Sequence, residues 1–465
     1  MSERPTLTER EAAAMAAPSL AAAPPPPGPW DAFRALRHRN FRLFFAGQLI
    51  SLIGTWMQTV AQAWLVYRLT GSAVLLGTVA FVSQIPVFFL ATAGGIVADR
   101  YAKRRVVVVT QAVQMIQAFL LAGLTIAGVV QVWEIVVLSG LLGVANAFDI
   151  PARQAFFVEI VGKEDLQSAI GLNSSIFNSA RIIGPTLAGI LVAIVHEGWC
   201  FFINGVSFFA VLVALLMMRI HEPESTRHGR GAWQQALEGF RYAWDSPTIS
   251  SLLLLVGVVS LVGIPYTVLM PIIADRVLHG GARDLGLLMG ATGVGAVMGA
   301  LTLAMRRGVR GLGRLAATAA GGFGVSLVLF SFSRWLALSM VLLIPVGYCA
   351  MLQMAATNTL LQSMSPDHLR GRIVALYSMM FMGMAPAGSL GAGFTADRLG
   401  APYTLAMGGA ACMAAAVVFA RRLPHFRADA LEKLRATGAL APEEVPSASG
   451  QDAGPEFTRG GGRAE

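Results

Sequence analysis

Twelve apolar runs, each long enough to cross a bilayer as a helix, dominate what this chain can fold into. A spanning helix needs about 20 mostly apolar residues. Such runs lie near residues 41–67, 74–98, 105–127, 132–154, 169–195 and 199–219, then 249–274, 284–305, 313–333, 335–362, 372–395 and 401–421. Composition agrees. The chain is 55% hydrophobic and 13% charged, with a mean hydropathy of +0.62, whereas soluble domains carry roughly 25% charged residues. A closed barrel is the other way to satisfy every backbone group in lipid. The alternating strands of about ten residues that it requires are absent from the sequence. The expected fold is therefore an all-α membrane protein of twelve transmembrane helices, arranged as two six-helix bundles.

The net charge of +9 would suggest nucleic acid in a soluble protein. Here the basic residues fall between apolar runs and report topology. With the N terminus in the cytoplasm, the inner segments hold 23 Lys/Arg and the outer loops 5, the asymmetry of the positive-inside rule. Both termini are expected in the cytoplasm and the chain in a bacterial-type inner membrane. Residues 1–30, which include Pro24 to Pro27, and residues 423–465 read as disordered tails. The bundles are assigned to residues 31–219 and 249–422. In the linker at 220–248, Trp233, Leu237, Phe240 and Trp244 share one helical face, so an amphipathic helix lying in the interface is expected.

The two bundles echo each other. Gly95 with its basic loop and Gly299 with Arg306 and Arg307 are 204 residues apart; Glu164-Asp165-Leu166 and Asp367-His368-Leu369 are 203 apart. A duplicated six-helix unit explains a shared offset. Parallel repeats of this kind place a substrate site between the halves.

Polar residues inside the runs are the candidate site. Gln48, Ser51, Thr55, Gln58 and Gln62 recur at steps of 3 and 4 in the first run and so share a face, which lipid cannot cover cheaply. The stripe is read as cavity lining. Gln84 in the second run, and Gln111, Gln114 and Gln117 in the third, lie in positions that also suit helix-to-helix hydrogen bonding. Arg181 is the one charge deep in a span, roughly 16 Å past the start of its run. Asn173, Ser174 and Asn178 precede it in the same run, Ser174 and Asn178 on its face, and Asp149 is the expected ionic partner. Its repeat equivalent is Met384, so the charge belongs to one half. In the second half, Gln353 and Asn358 suit the far wall of a cavity. Met379, Met380, Met382 and Met384 suit an adaptable apolar surface. Gly286, Gly290, Gly295 and Gly299 permit close helix contact.

One string carries a family resemblance: Gly95-Ile-Val-Ala-Asp99-Arg100-Tyr-Ala-Lys103-Arg104-Arg105, between the second and third runs. It resembles the loop signature of the major facilitator superfamily, departing from it at Ala102, where the family often has glycine. The resemblance implies that Asp99 and Arg100 act in a charge-relay latch of a gating loop. Gly184-Pro185 with Gly189 resembles the kinked fifth helix of the family's antiporters. Together, Asn146 to Gln154 and Asn173 to Pro185 are similar to the branch containing enterobactin exporters and drug–proton antiporters. The resemblance implies alternating-access export of small amphipathic molecules, coupled to protons. An importer or uniporter of the same fold, and a non-transporting receptor or lipid-handling protein, remain as alternatives.

Several classes are excluded. No phosphate-binding GxxxxGK[ST] loop, HExxH or CxxC is present, and the three cysteines lack metal-ligand spacing. No cofactor, metal or nucleic acid is expected. The expected partners are lipid, a small-molecule substrate and protons, and the expected working unit is a monomer that is not an enzyme. Asp149, Asp99 and Asp275 read as lying at span ends, which leaves proton coupling without an obvious mid-span carboxylate.

Overall fold

Short, sharply capped connectors decide the topology. Gly71 ends the first helix in the left-handed region at φ 61°, and the Ser72 side chain then accepts from the Leu75 amide to cap the second. A connector this short makes neighbouring helices antiparallel. The computed structural model describes residues 31–162, 164–218, 240–306 and 308–436. Within them are twelve helices long and apolar enough to cross a membrane and no strand. They are α1 (Arg39–Thr70), α2 (Ala73–Arg100), α3 (Lys103–Ile126), α4 (Val132–Val161), α5 (Leu166–Val195) and α6 (Glu197–Met217), then α7 (Pro247–Val277), α8 (Ala282–Ala304), α9 (Leu312–Ser331), α10 (Leu336–Met364), α11 (Asp367–Leu399) and α12 (Ala401–Ala436).

The packing repeats. In the first half α2 lies on α4, α3 on α6, and α1 on α5 and α6. In the second, α8 lies on α10, α9 on α12, and α7 on α11 and α12. Between lipid-embedded helices there is little hydrophobic drive, so small residues set how closely they approach. A Cβ at Gly94 would collide with the carbonyl of Ala147, and Gly295 and Gly347 lock α8 against α10 in the same way. The glycine row of α8 is divided between two partners. Gly286 and Gly290 face α5, while Gly295 and Gly299 face α10.

Three boundaries differ from the sequence reading. α4 continues to Val161, so Asp149 lies twelve residues inside its end rather than near it. α12 runs unbroken to Ala436, through the start of the expected tail, and Lys433 on it bonds to Ser246 at the head of α7. α7 is not one regular helix. It passes through π turns at Val259–Gly263 and Ile273–Val277, with Pro265 between them. Proline lacks the N–H that would continue the ladder, and the wider turn absorbs the defect. Of the linker's proposed apolar face, Trp233 and Leu237 lie outside the described residues, as do both expected tails apart from the end of α12. Phe240 and Trp244 are exposed and stack at 6.1 Å.

Replacing Gly295 by leucine is expected to drive α8 from α10 and to cost about 1–3 kcal/mol, seen as a lowered thermal midpoint in detergent. Gly123→Ala, where an added Cβ meets nothing within 4 Å, should leave that midpoint unchanged.

Candidate functional site

The two halves meet along two seams, α5 with α8 and α2 with α11. Both seams are tight only toward the arginine-poor face. On the first, Gly189 and Gly286 face each other so closely that a Cβ on either would stand within 3 Å of the other's backbone; Gly290 meets Thr186, and Gly293 meets Arg181 and Ile182. On the second, Gly393 meets Ala73, Gly77 meets Ser389, and Gly383 meets the ring of Phe88. Toward the basic face the glycines of these helices make no such contact: Gly95, Gly171 and Gly371 each have nothing within 4 Å of an added Cβ. The glycine contacts that close the seam are thus confined to the arginine-poor side.

Polar contacts seal the closed end. The Tyr67 hydroxyl on α1 donates to Asp275 Oδ2 on α7 at 2.5 Å. Arg276 donates to the Gly71 carbonyl at 2.9 Å and its guanidinium lies 5.9 Å from the Tyr67 ring centroid. These three side chains join the halves. Asp275 reads from sequence as a span end; its pairing with a distant run end carries no local signal.

Where the glycine contacts of the seam end stands Arg181. Its guanidinium lies 5.8 Å from the Trp56 ring centroid. Trp56 is held by the edge of Phe177 at 5.7 Å and by contact with Gly184. Among the described residues Arg181 forms no ion pair. Asp149, its expected partner, is fully buried and bonded elsewhere, to Arg153 one turn along α4, to Thr110 Oγ1 at 2.8 Å and to Gln111 Nε2 at 3.1 Å. The i,i+4 spacing of Asp149 and Arg153 was legible in the sequence and is the geometry that puts two side chains on one helical face.

The glutamine stripe of α1 corrects a second expectation. Gln48, Ser51, Gln58 and Gln62 are buried, at 1%, 3%, 3% and 8% exposure. Gln58 donates to Gln117 and accepts from Asn204; Gln62 donates to Ser139; Gln114 donates to Asn146. The stripe faces the interior of the first bundle, where it ties α1 to α3, α4 and α6 instead of lining the seam. Thr55 is half-buried and Gln84 exposed. Asn173 is half-buried; Ser174 and Asn178 bond to carbonyls of their own helix. Across the seam, Gln353 is buried and lies 3.4 Å from Thr357, while Asn358 accepts from Gln362.

The loop after α2 gathers charge at the basic face. Lys103 bonds Glu159 of α4 at 2.6 Å, and Arg104 donates to the carbonyls of Leu215 and Leu216 at the end of α6, where a cation suits the helix dipole. Asp99, Arg100 and Arg105 are exposed. Gly95 has open space around it; its neighbour Gly94 is the contact glycine. In α5, Gly184 receives Trp56, Gly189 receives α8, and Pro185 presents its carbonyl to Gly286. No cluster suited to a metal occurs among the described residues.

Comparison with known proteins agrees with this architecture. The family described as transmembrane secretion effector matches residues 30–455. The chain is 24% identical over 383 residues to the staphyloferrin A transporter of Staphylococcus aureus, covering 81% of this chain and 95% of that one. It is 27% identical over 378 residues to the multidrug efflux pump Tap of Mycobacterium tuberculosis (77% and 87% covered), and 26% identical over 372 residues to the enterobactin exporter EntS of Shigella boydii (77% and 86%). Among solved structures, a bacterial homologue of ferroportin in an inward-facing state superposes with a TM-score of 0.63 at 18% identity (82% and 98%). A POT family transporter superposes at 0.67 and 9% identity (83% and 96%). These structural likenesses show the fold.

Tyr67→Phe and Asp275→Ala each remove the α1–α7 hydrogen bond at the closed end. Either should raise alkylation of a cysteine placed at Ser389, which is buried behind that end, by about threefold to tenfold, the order expected for one hydrogen bond to a charged group. A membrane-impermeant maleimide measures it.

Proposed function

We propose that this chain, which belongs to the transmembrane secretion effector family of major facilitator transporters, exports small amphipathic molecules from the cytoplasm by alternating access. It is a multi-pass transporter of the bacterial inner membrane, and direction and coupling are the proposed parts. The observation that carries the reading is the seam, whose glycine contacts are confined to the arginine-poor face. The positive-inside rule assigns the basic face, with both termini, to the cytoplasm. The state described is then open to the cytoplasm, the side from which an exporter loads. Relatives named as exporters and an efflux pump support the direction.

The gate at the outer face is Tyr67, Asp275 and Arg276. The gate at the inner face is the loop from Gly95 to Arg105, which would close when the basic-side ends of α2 and α11 come together. The open space around Gly95 is then where α11 seats. Proton coupling is assigned to Asp149. It is a carboxylate in the membrane interior, its charge balanced by Arg153 and by two hydrogen bonds. Protonation removes that balance and frees Arg153, a change large enough to shift a two-state equilibrium. One chain holds both halves and both gates, so the working unit is a monomer.

In everted vesicles given an inward-acidic pH gradient, the wild-type chain should accumulate an amphipathic dye and Asp149→Asn should not. The same variant should still exchange dye for dye without a gradient. Dye uptake by Asp149→Asn at the wild-type rate would remove the coupling assignment, and accumulation that requires the opposite gradient would reverse the direction.

A further inference from the structure

Arg181 sits fifteen residues inside the start of α5 and fourteen from its end, so it is mid-span, roughly 22 Å along the helix at 1.5 Å per residue. A cation at that depth is costly unless something answers its charge. Among the described residues no carboxylate pairs with it. The described carboxylates nearest in topology are engaged elsewhere, Asp149 by Arg153 within the first bundle and Asp275 by Tyr67 at the closed end. What Arg181 has is the Trp56 ring, which covers it by a cation–π contact and accepts no hydrogen bond.

The opposite half contributes a matching deficiency. Tyr266, 2% exposed, follows the π turn and Pro265 of α7, and its hydroxyl has no hydrogen-bond partner. The polar groups facing it are Arg181 and Thr292; the Thr292 hydroxyl donates its proton to the Leu288 carbonyl at 3.1 Å. A buried hydroxyl left unpaired is as unfavourable as a lost hydrogen bond. Breaks in membrane helices of this kind commonly flank binding sites.

A guanidinium and a phenol, one from each half, thus converge in the membrane interior with no described carboxylate between them. We propose that Arg181 and Tyr266 bind an oxyanion of the transported molecule, and that its substrates are amphipathic acids of the carboxylate class. The planar N–H fork of arginine suits a carboxylate, and the phenol supplies a further donor. Trp56 and the half-exposed Phe177 offer an aromatic wall to the apolar body. The inference rests on the transporter reading and adds the charge of the cargo. It also gives the halves a reason to stay together around a loaded site, since the anion touches both.

The test compares two probes of one shape, pyrenebutyrate and its uncharged amide, on the full chain in nanodiscs. Wild type should bind the acid about tenfold more tightly than the amide. Arg181→Gln should abolish that preference while leaving amide affinity in place, Arg181→Lys should retain part of it, and Tyr266→Phe should cut it severalfold. Equal affinities in wild type, an acid preference that survives Arg181→Gln, or no change in Tyr266→Phe would each overturn the proposal. If Arg181→Gln does not fold, the lysine and phenylalanine variants decide the matter. Uptake of both probes into everted vesicles separates the two readings. An amide carried as well as the acid sinks the oxyanion site and leaves transport standing, while no uptake of either counts against transport and leaves the binding result to judge the site.

Discussion

Lipid gives apolar helices no reason to prefer one another over acyl chains, so contacts at backbone distance must hold this molecule together. Glycine makes those contacts available. Gly94 brings α2 onto α4, and Gly295 and Gly347 bring α8 onto α10. The same device at Gly189, Gly286, Gly77 and Gly393 brings the halves together at one face. Within the first half, buried polar bonds also tie α1 to α3, α4 and α6 and α3 to α4. At the closed end between halves, the polar bonds are those of Tyr67 and Arg276.

The buried amides of α1 and α3 belong to the first category. Gln58 bonds to both Gln117 and Asn204 in the bundle interior, tying α1 to α3 and α6. They stiffen the half that carries Arg181. A rigid frame matters to a site assembled from two bodies, because the guanidinium must arrive at the phenol in one geometry.

The fold was largely legible because its signals are long. A run of twenty apolar residues, a charge asymmetry across loops and an offset of about 203 residues each survive errors of a few positions. The site was legible only in part. Arg181 stood out because a lone mid-span charge needs no partner to be noticed. Its supposed partner did not follow, since topology put Asp149 nearby while the i,i+4 neighbour Arg153 had first claim on it. The polar stripe of α1 had the right face but the wrong destination. Periodicity shows that residues share a side, not whether that side meets water or three other helices. Tyr67 with Asp275 was invisible, because residues 208 apart are paired by the fold alone.

The π turn at Val259–Gly263 has a mechanical consequence. Its hydrogen bond runs from the Ile264 amide to the Val259 carbonyl, so the turn stores one residue more than an α-turn. An α-helix advances about 100° per residue. Were that surplus residue released, everything beyond it on α7 would rotate by about that angle. Tyr266 and Asp275 both lie beyond it. A single slip in one helix would therefore turn the phenol from Arg181 and the carboxylate from Tyr67 together, gearing a change at Arg181 to the unlatching of the closed end.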